Sequence, residues 1–551
     1  MTFNPTSIIY LCRVPIDNTY KHQLYFRNEG EQTAYFQGKP SRWFENYLSV
    51  RTTRPDGSLQ SSVKVDANIN TLYDYNYMRY QNENHGNKWF YAFITKLVYV
   101  NESTTEIVFE QDVWQTWFTK ITLKPSFVER EHALSDNIGD NVVPEKFNFQ
   151  DFEYWGNETT SKDLKLDQWG YLIACTTPPE DYKIGRRITG VYQGVAFYYF
   201  TNPNHVSDFI VNLPDAGVES IVSISLIPEF ALTVGNVGIT EEEKADRVGF
   251  VHSSDYPKEQ VVSIPIDIHG GGFEDVKNNK LFTAPFTTLQ LSSNDGVTVE
   301  YAIEELSTYK ENGTIYSNFR LYGDISITPS IMIMPEAYKG SANNPNFALT
   351  LRNFPQCSYN SDYYKMWLTK NTWSSAANIV NGLGTTALGG VTMIGTSAIG
   401  AGIGASMILS GVTNLMHTIG DFTQASVEAN KSGGGATSNN LLTAMGKYVP
   451  TFRIKKIKSE YAKIIDDFFT IYGYQLNKVK IPSLNNRKYY TYTKTNDCNI
   501  VGNVPCEAIT AIKNMFNMGV TFWNENAYAN NDKYVLDYSV TNTPIVDMVE
   551  V

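Results

Sequence analysis

Residues 371–420 contain no Asp, Glu, Lys or Arg, in a chain where 19% of residues are charged, and ten of the 38 glycines fall in that window. A chain of 551 residues must therefore house one long neutral segment rich in small residues, either inside a core or against lipid. The stretch from Ala387 to Val412 is long enough, at about 1.5 Å per residue, to cross a hydrocarbon layer of about 30 Å. The longer run from Trp373 to Met416 equally allows two shorter crossings joined by a glycine turn, so a single span and a hairpin both stay open.

Its hydrophobic character is carried by Ile379, Val380, Leu383, Leu388, Val391, Met393, Ile394, Ile399, Ile403, Met407, Ile408, Leu409, Val412, Leu415 and Met416. Gly389, Gly390, Gly395, Gly400, Gly402, Gly404 and Gly411 dilute it. Pairs four apart, such as Ala398 with Gly402 and Gly400 with Gly404, would let helix backbones approach closely. Each glycine also costs a helix about 1 kcal/mol relative to alanine, so the segment is weakly committed to one structure, which suits a change of environment. The run Ser432-Gly-Gly-Gly-Ala-Thr-Ser438 after it has the composition of a flexible linker. Composition alone leaves open the alternative of a buried Gly/Ala-rich helix pair.

Outside the window the pattern is that of strands. Ser7 to Val14, Ile221 to Ile227 and Ile331 to Met334 are short, β-branched runs bounded by Pro, Asp or Gly. Arg54-Pro-Asp-Gly57 and Asn294-Asp-Gly296 predict hairpins, the second joining Thr287–Leu291 to Val297–Tyr301. Apolar residues spaced three and four apart predict an amphipathic helix from Arg453 to Gln475, and a shorter one is expected from Glu507 to Met518, entered after Pro505 and left at Gly519. The expected class is mainly β with a few helices (α+β), and no repeat of 20–50 residues supports a solenoid or propeller.

The net charge of −12 and pI near 5.2 argue against a protein that grips nucleic-acid phosphates. Five scattered cysteines with no CxxC pair indicate neither a disulfide scaffold nor a zinc site. No basic region precedes an apolar run at the N-terminus, so a cleaved export signal is not expected and the chain is expected to fold in a cytoplasm. No nucleophile elbow, HExxH motif or P-loop is present, and Gly446-Lys447 lacks the following Ser or Thr. His269-Gly-Gly-Gly272 reads as a glycine turn rather than an oxyanion loop. Glu129-Arg-Glu-His132 could place a carboxylate beside an imidazole for acid/base work, but a surface or interface ion network explains it equally simply. Asp136, Asp140 and Glu145 lack the spacing of a calcium loop. No catalytic residue, metal or cofactor is expected.

Several blocks taken in order carry a resemblance. They are Ile9-Tyr-Leu-Cys-Arg-Val-Pro-Ile-Asp-Asn-Thr-Tyr20, Asn76-Tyr-Met-Arg-Tyr-Gln-Asn82, Lys88-Trp-Phe-Tyr-Ala-Phe-Ile94, Asp112-Val-Trp-Gln-Thr-Trp117 and Ser126-Phe-Val-Glu-Arg-Glu-His132. Asp136, Gly139 and Pro144-Glu145 follow, with Ile512-Lys-Asn-Met-Phe-Asn-Met-Gly-Val-Thr-Phe-Trp523 near the C-terminus. Together they resemble the distal tail-tube, or tail-knob, proteins of small short-tailed bacteriophages that infect Gram-positive bacteria.

The resemblance implies a homohexamer forming a β-barrel-like tube at the end of a virion tail, with an inserted middle domain and a long apolar loop. Six loops would plug the lumen and then enter the host cytoplasmic membrane to let DNA pass. By position the loop is 374–440, after a tube segment at 1–150, a middle domain at 151–345 and a return segment at 346–373, with 441–551 completing the tube. Implied partners are other copies of the chain, other tail proteins such as the lower collar or proximal tube, the host membrane, and phage DNA that slides through without sequence-specific binding. Six copies at −12 total −72, and a negative lumen would repel phosphates. Asp112, Trp114, Trp117, Phe127, Glu129, Arg130, Glu131 and His132 are motif positions: the aromatics are expected at a subunit contact, and Glu129, Arg130 and Glu131 in intersubunit ion pairs. Competing readings are a tail-associated cell-wall hydrolase or adhesin, suggested by the 36 Tyr and nine Trp, and a secreted pore-forming toxin.

Overall fold

In a computed structural model of the chain, the described residues are 7–47, 60–83, 86–145, 147, 151–156, 169–175, 196–200, 221–231, 258–293, 296–324, 326–342, 345–352, 356–358 and 450–545, with a few isolated positions between. The chain forms two compact units. Unit 1 comprises Met1–Phe149, Asp275–Pro285 and Ser459–Val551; unit 2 comprises Gln150–Glu274 and Phe286–Lys458. The loop residues at 374–440 lie outside the described residues.

Unit 1 begins with strands β1 (Ser7–Cys12) and β2 (His22–Leu24), then helix α1 (Glu29–Gln37). Asn28 caps α1 by accepting from the Glu31 N–H, and the Glu31 carboxylate accepts in return from the Arg27 N–H, satisfying two amide donors at the helix start. Strands β3 (Ser41–Tyr47), β4 (Gln60–Val65), β5 (Tyr77–Asn82), β6 (Phe90–Asn101) and β7 (Thr104–Gln111) follow. With β1 they make an antiparallel sheet in the order β3-β1-β5-β6-β7-β4. Its logic is the two-residue period: in β7, Thr105, Ile107, Phe109 and Gln111 are buried while their neighbours are half-buried. Of these, Ile107 and Phe109 join Ile9, Leu11, Val65 and Met78 in one apolar cluster.

Short helix α2 (Val113–Trp117) leads to β8 (Ile121–Leu123) and β9 (Ser126–Glu131). The C-terminal part of the unit supplies α3 (Ser459–Tyr472), β10 (Tyr474–Lys480), β11 (Tyr490–Asn496), β12 (Ile500–Gly502), α4 (Cys506–Met518), β13 (Val520–Trp523) and α5 (Glu525–Tyr528). A second sheet runs β2-β13-β11-β9-β10, parallel only between β2 and β13, so strands about 500 residues apart in sequence are neighbours. Helix α4 packs Ile512, Met515 and Phe516 with Val113, Trp114, Val520 and Phe522.

Unit 2 is also antiparallel. Phe152–Trp155, Thr451–Ile457, Thr287–Ser292 and Thr298–Ala302 form one sheet in that order. The strands around Asn294–Gly296 pair as the turn predicts. Lys258–Pro265, Thr314–Asp324, Ser330–Pro335 and Leu349–Leu351 form another, and a third holds Trp169–Cys175 between Ala196–Phe200 and Ile221–Pro228.

One sequence expectation gives way. The predicted helix from Arg453 to Gln475 is a strand up to Ile457 and a helix only from Ser459. Ile454 pairs with Leu289 and Trp155, and Phe452, Ile454 and Lys456 are buried together in two-residue alternation, a pattern that shares only Ile454 with the helical one. The Arg54–Gly57 turn and the run ending near Thr53 lie outside the described residues; β3 and β4 stand at opposite edges of their sheet. Among the described residues no helix is long and apolar enough to cross a membrane.

Candidate functional site

The motif residues form two groups within unit 1, one on α2 and its cap and one on β9. Asp112 caps α2, accepting from the N–H groups of Trp114 and Gln115 at 3.1 Å, and Tyr77 donates to its other oxygen at 3.0 Å. Burial pushes this carboxyl up to about 7, against the pull of those donors. The Trp114 indole donates to the Leu24 carbonyl at 3.3 Å, and its ring lies against Phe516 and Phe522. Gln115 donates to the same carbonyl and to Gln23, and accepts from Gln32, tying α2 to β2 and α1. The Lys88 ammonium sits 3.2 Å from the Trp117 ring centre, and its burial lowers it to about 8. Of the three motif aromatics Trp114 is buried, Trp117 is partly buried and Phe127 is 39% exposed.

Strand β9 carries the ion pairs. Glu129 meets Lys494 at 2.9 Å across the β9–β11 pairing. Arg130 pairs with Glu145, donates to the Gly473 carbonyl at 2.6 Å and lies over the Phe468 ring. Glu131 is fully buried and accepts from Lys480 at 2.6 Å and from the Ser483 N–H and Asn486 amide at 3.1 Å. Glu129 and Glu131 thus meet cations on β11 and β10, and Arg130 meets Glu145, all within one chain. Trp114 likewise spends its surface within its own subunit.

His132 is buried: its Nδ1 accepts from the Tyr492 N–H at 2.8 Å and its Nε2 faces the Thr470 carbonyl at 3.0 Å, so the ring is neutral with the proton on Nε2. Burial, reinforced by Arg487, pulls it down to about 3. Both nitrogens are thus engaged by backbone rather than by the carboxylates of Glu129 or Glu131, so the acid/base pair is not assembled.

Residues that sequence reasoning passed over complete the cluster. Asp466, on α3, accepts from the N–H groups of Lys277 and Asn278 and from the Asn278 amide. Tyr474 donates to Asp136, whose carboxyl is raised by burial, and Lys280 pairs with Glu145. These contacts hold the segment Asp275–Pro285 in unit 1. Its only sequence signal is indirect, an Asp at a core-facing position of an amphipathic helix. The arrangement satisfies buried charges with directed donors, which fixes chain register. Among the described residues no group of three or more His, Cys, Asp or Glu is placed to hold a metal ion.

The family described as the C-terminal domain of the tail knob protein gp9 of Bacillus phage phi29 matches residues 254–543, a span that contains the uncharged window. The N-terminus of the caudoviral major tail protein matches residues 4–122. The tail knob proteins gp9 of Bacillus phages B103 and phi29 are each 24% identical to this chain, with 98% of both sequences covered in each comparison. The solved tail knob protein gp12 of bacteriophage C1 shares the fold at a TM-score of 0.58 and 15% identity, covering 96% of this chain and 99% of that one. With more than half its length matched by the first of these families, the chain belongs to the family of the phi29 tail knob protein gp9.

Proposed function

We propose that this tail knob protein, a structural component of a phage tail, forms a homohexameric distal tube whose apolar loops plug the lumen and later enter the host cytoplasmic membrane to let DNA pass. The observation that carries the reading is the charge-free run 371–420 in a chain whose relatives are named as tail knob proteins. The role is structural rather than enzymatic, and the location is the virion tail, in contact with other tail proteins. The residues from 1–150 and 441–551 would build the tube and those from 151–345 the middle domain, with 346–373 leading into the loop.

The strands nearest the loop support its independence. Gln356–Ser358 pairs with Ile221–Pro228, and Thr451–Ile457 pairs with Thr287–Ser292. Both ends of the intervening chain are thus held by ladders, and changing loop length alters closure entropy only logarithmically. A plug that refolds in lipid should be neutral, small-residue-rich and weakly committed to one structure, because any charge carried into hydrocarbon costs several kcal/mol.

The test is deletion of 374–440. The shortened protein should assemble like the full chain, by native mass spectrometry, yet fail to release dye from liposomes of bacterial lipid composition. Equal leakage from both would remove the membrane role and leave the tube. A full-length protein that stays monomeric would remove the hexamer.

A further inference from the structure

The five-stranded sheet of unit 1 ends in two unlike margins. At one end β10 pairs with β9 alone, leaving its other backbone edge unpaired among the described residues. That edge exposes Lys478, Val479 at 69% and, one residue past the strand, Ile481 at 55%. In register with Val479 on β9 lies Phe127, 39% exposed. An unprotected edge with apolar side chains is a template for pairing with another chain.

At the other end stand β2 and β13, and the residues flanking them line a cleft of about 970 Å³. Arg13 to Asp17 precede β2, Glu525 to Asp532 follow β13, and α1 supplies a wall. Its charged lining is Arg13 and Lys39 against Asp17, Glu31, Glu525 and Asp532; Lys39 pairs with Asp532 and Arg27 with Glu525, which leaves Arg13 against Asp17 and Glu31, an acid excess of one. The remainder includes Val14, Ile16 and Ala34, so the cleft matches a short strand that is both basic and apolar.

Resting on the proposed ring, we infer that the β10 edge of one copy, centred on Lys478 to Ile481, docks in this acidic cleft of the next copy. Charge complementarity selects this occupant: self-pairing of two β10 edges antiparallel about Val479 would bring the exposed Lys478 of both copies onto one seam, whereas the cleft offers Asp17 and Glu31. Placement agrees. Four strand spacings of about 4.8 Å put the margins roughly 19 Å apart on opposite sides of the sheet. A contact between two different, opposed surfaces is head-to-tail, the class that closes into rings.

The experiment uses the full-length chain carrying Cys506→Ser, since Cys506 is exposed. Adding Val479→Cys and Ala34→Cys together and treating with a short bismaleimide should give a covalent ladder up to the ring size, with each single cysteine giving none. In parallel, Lys478→Glu should weaken assembly by roughly thirtyfold, the loss typical of a buried anchor, and Asp17→Lys in the same chain should restore part of it. Circular dichroism shows whether each variant keeps the fold. A wild type that never oligomerises overturns ring and docking together. A ring that forms but gives no ladder and ignores Lys478→Glu overturns the docking alone, and so does cross-linking of Val479→Cys with itself.

Discussion

The ion pair between Glu131 and Lys480 is unequal, and the inequality predicts which side matters more. Glu131 is fully buried, whereas the Lys480 side chain is 28% exposed. Replacing the lysine strands a carboxylate inside the protein with only two neutral donors, the Ser483 N–H and the Asn486 amide. Removing one member of a buried pair costs about 3–5 kcal/mol, and the two surviving hydrogen bonds place Lys480→Met near the lower end, at about 3 kcal/mol. Replacing the acid leaves an ammonium that reaches water. Glu131→Gln also keeps an acceptor for Ser483, so its cost is that of lost charge assistance, about 1–2 kcal/mol. The double variant has no buried charge left to strand and should sit near Glu131→Gln.

Two compact units need not unfold together, so a local readout is required. The Ser483 amide donates directly to Glu131, and its hydrogen–deuterium exchange reports the site. A loss of about 3 kcal/mol corresponds to roughly 150-fold faster exchange in Lys480→Met, against about tenfold in Glu131→Gln and in the double variant. Equal acceleration by the two single variants, or additive acceleration in the double, would refute the reasoning, since either means that burial of the carboxylate does not set the cost.

Other perturbations bear on the same unit. His132 is held near 3 in the fold and returns to about 6.5 on unfolding, so the unfolded chain binds the extra proton; wild-type stability should fall as pH drops from about 6.5 towards 3, by at most about 1.4 kcal/mol per pH unit, and His132→Gln should flatten that slope in urea unfolding. Asp112 has the opposite sign: its carboxyl stands at about 7 in the fold against about 3.9 unfolded, so its contribution is lost as pH rises through that interval. Asp112→Asn, which keeps the helix cap, should gain on the wild type between pH 4 and 7.5, while Asp112→Ala should cost about 1–2 kcal/mol at pH 4. Gly473, at φ +65°, faces the Glu131 carbonyl and the His132 nitrogen where a Cβ would sit, whereas Gly340, at φ +73°, faces open space. Gly340→Ala should cost only about 1 kcal/mol, and Gly473→Ala several times more, read as a difference in thermal midpoints.

How far the sequence could be read follows from how local each signal is. Helix α4 emerges almost as expected, starting one residue earlier at Cys506, because Pro505 and Gly519 punctuate it and neither depends on distant residues. The Asn294–Gly296 hairpin succeeds for the same reason: its partners are its neighbours. Residues 453–457 fail because Ile454 and Ile457 are spaced as on a helix, and the pairing of Ile454 with Leu289 that makes the segment a strand is 165 residues away. The site shows the same division. Asp112 is legible as a cap from the residues after it, but the cations of Glu129 and Glu131 lie more than 340 residues downstream, so the charge pattern identifies ion-pairing residues without saying whether their partners belong to the same chain.

This distance also explains why the buried charges are where they are. Unit 1 is assembled from three stretches of chain, with the short piece Asp275–Pro285 entering and leaving between long excursions through unit 2. Hydrophobic burial would reward many registers of so short a piece almost equally, because it is roughly proportional to area and has no direction. Asp466 accepts from two successive backbone N–H groups and one side-chain amide, Asp136 accepts from Asn279, and Glu145 takes both Lys280 and Arg130. A slip of one residue would break all of these at once and strand carboxylates away from water, at a cost several times that of a displaced methyl group. The polar cluster therefore selects one threading of a discontinuous unit.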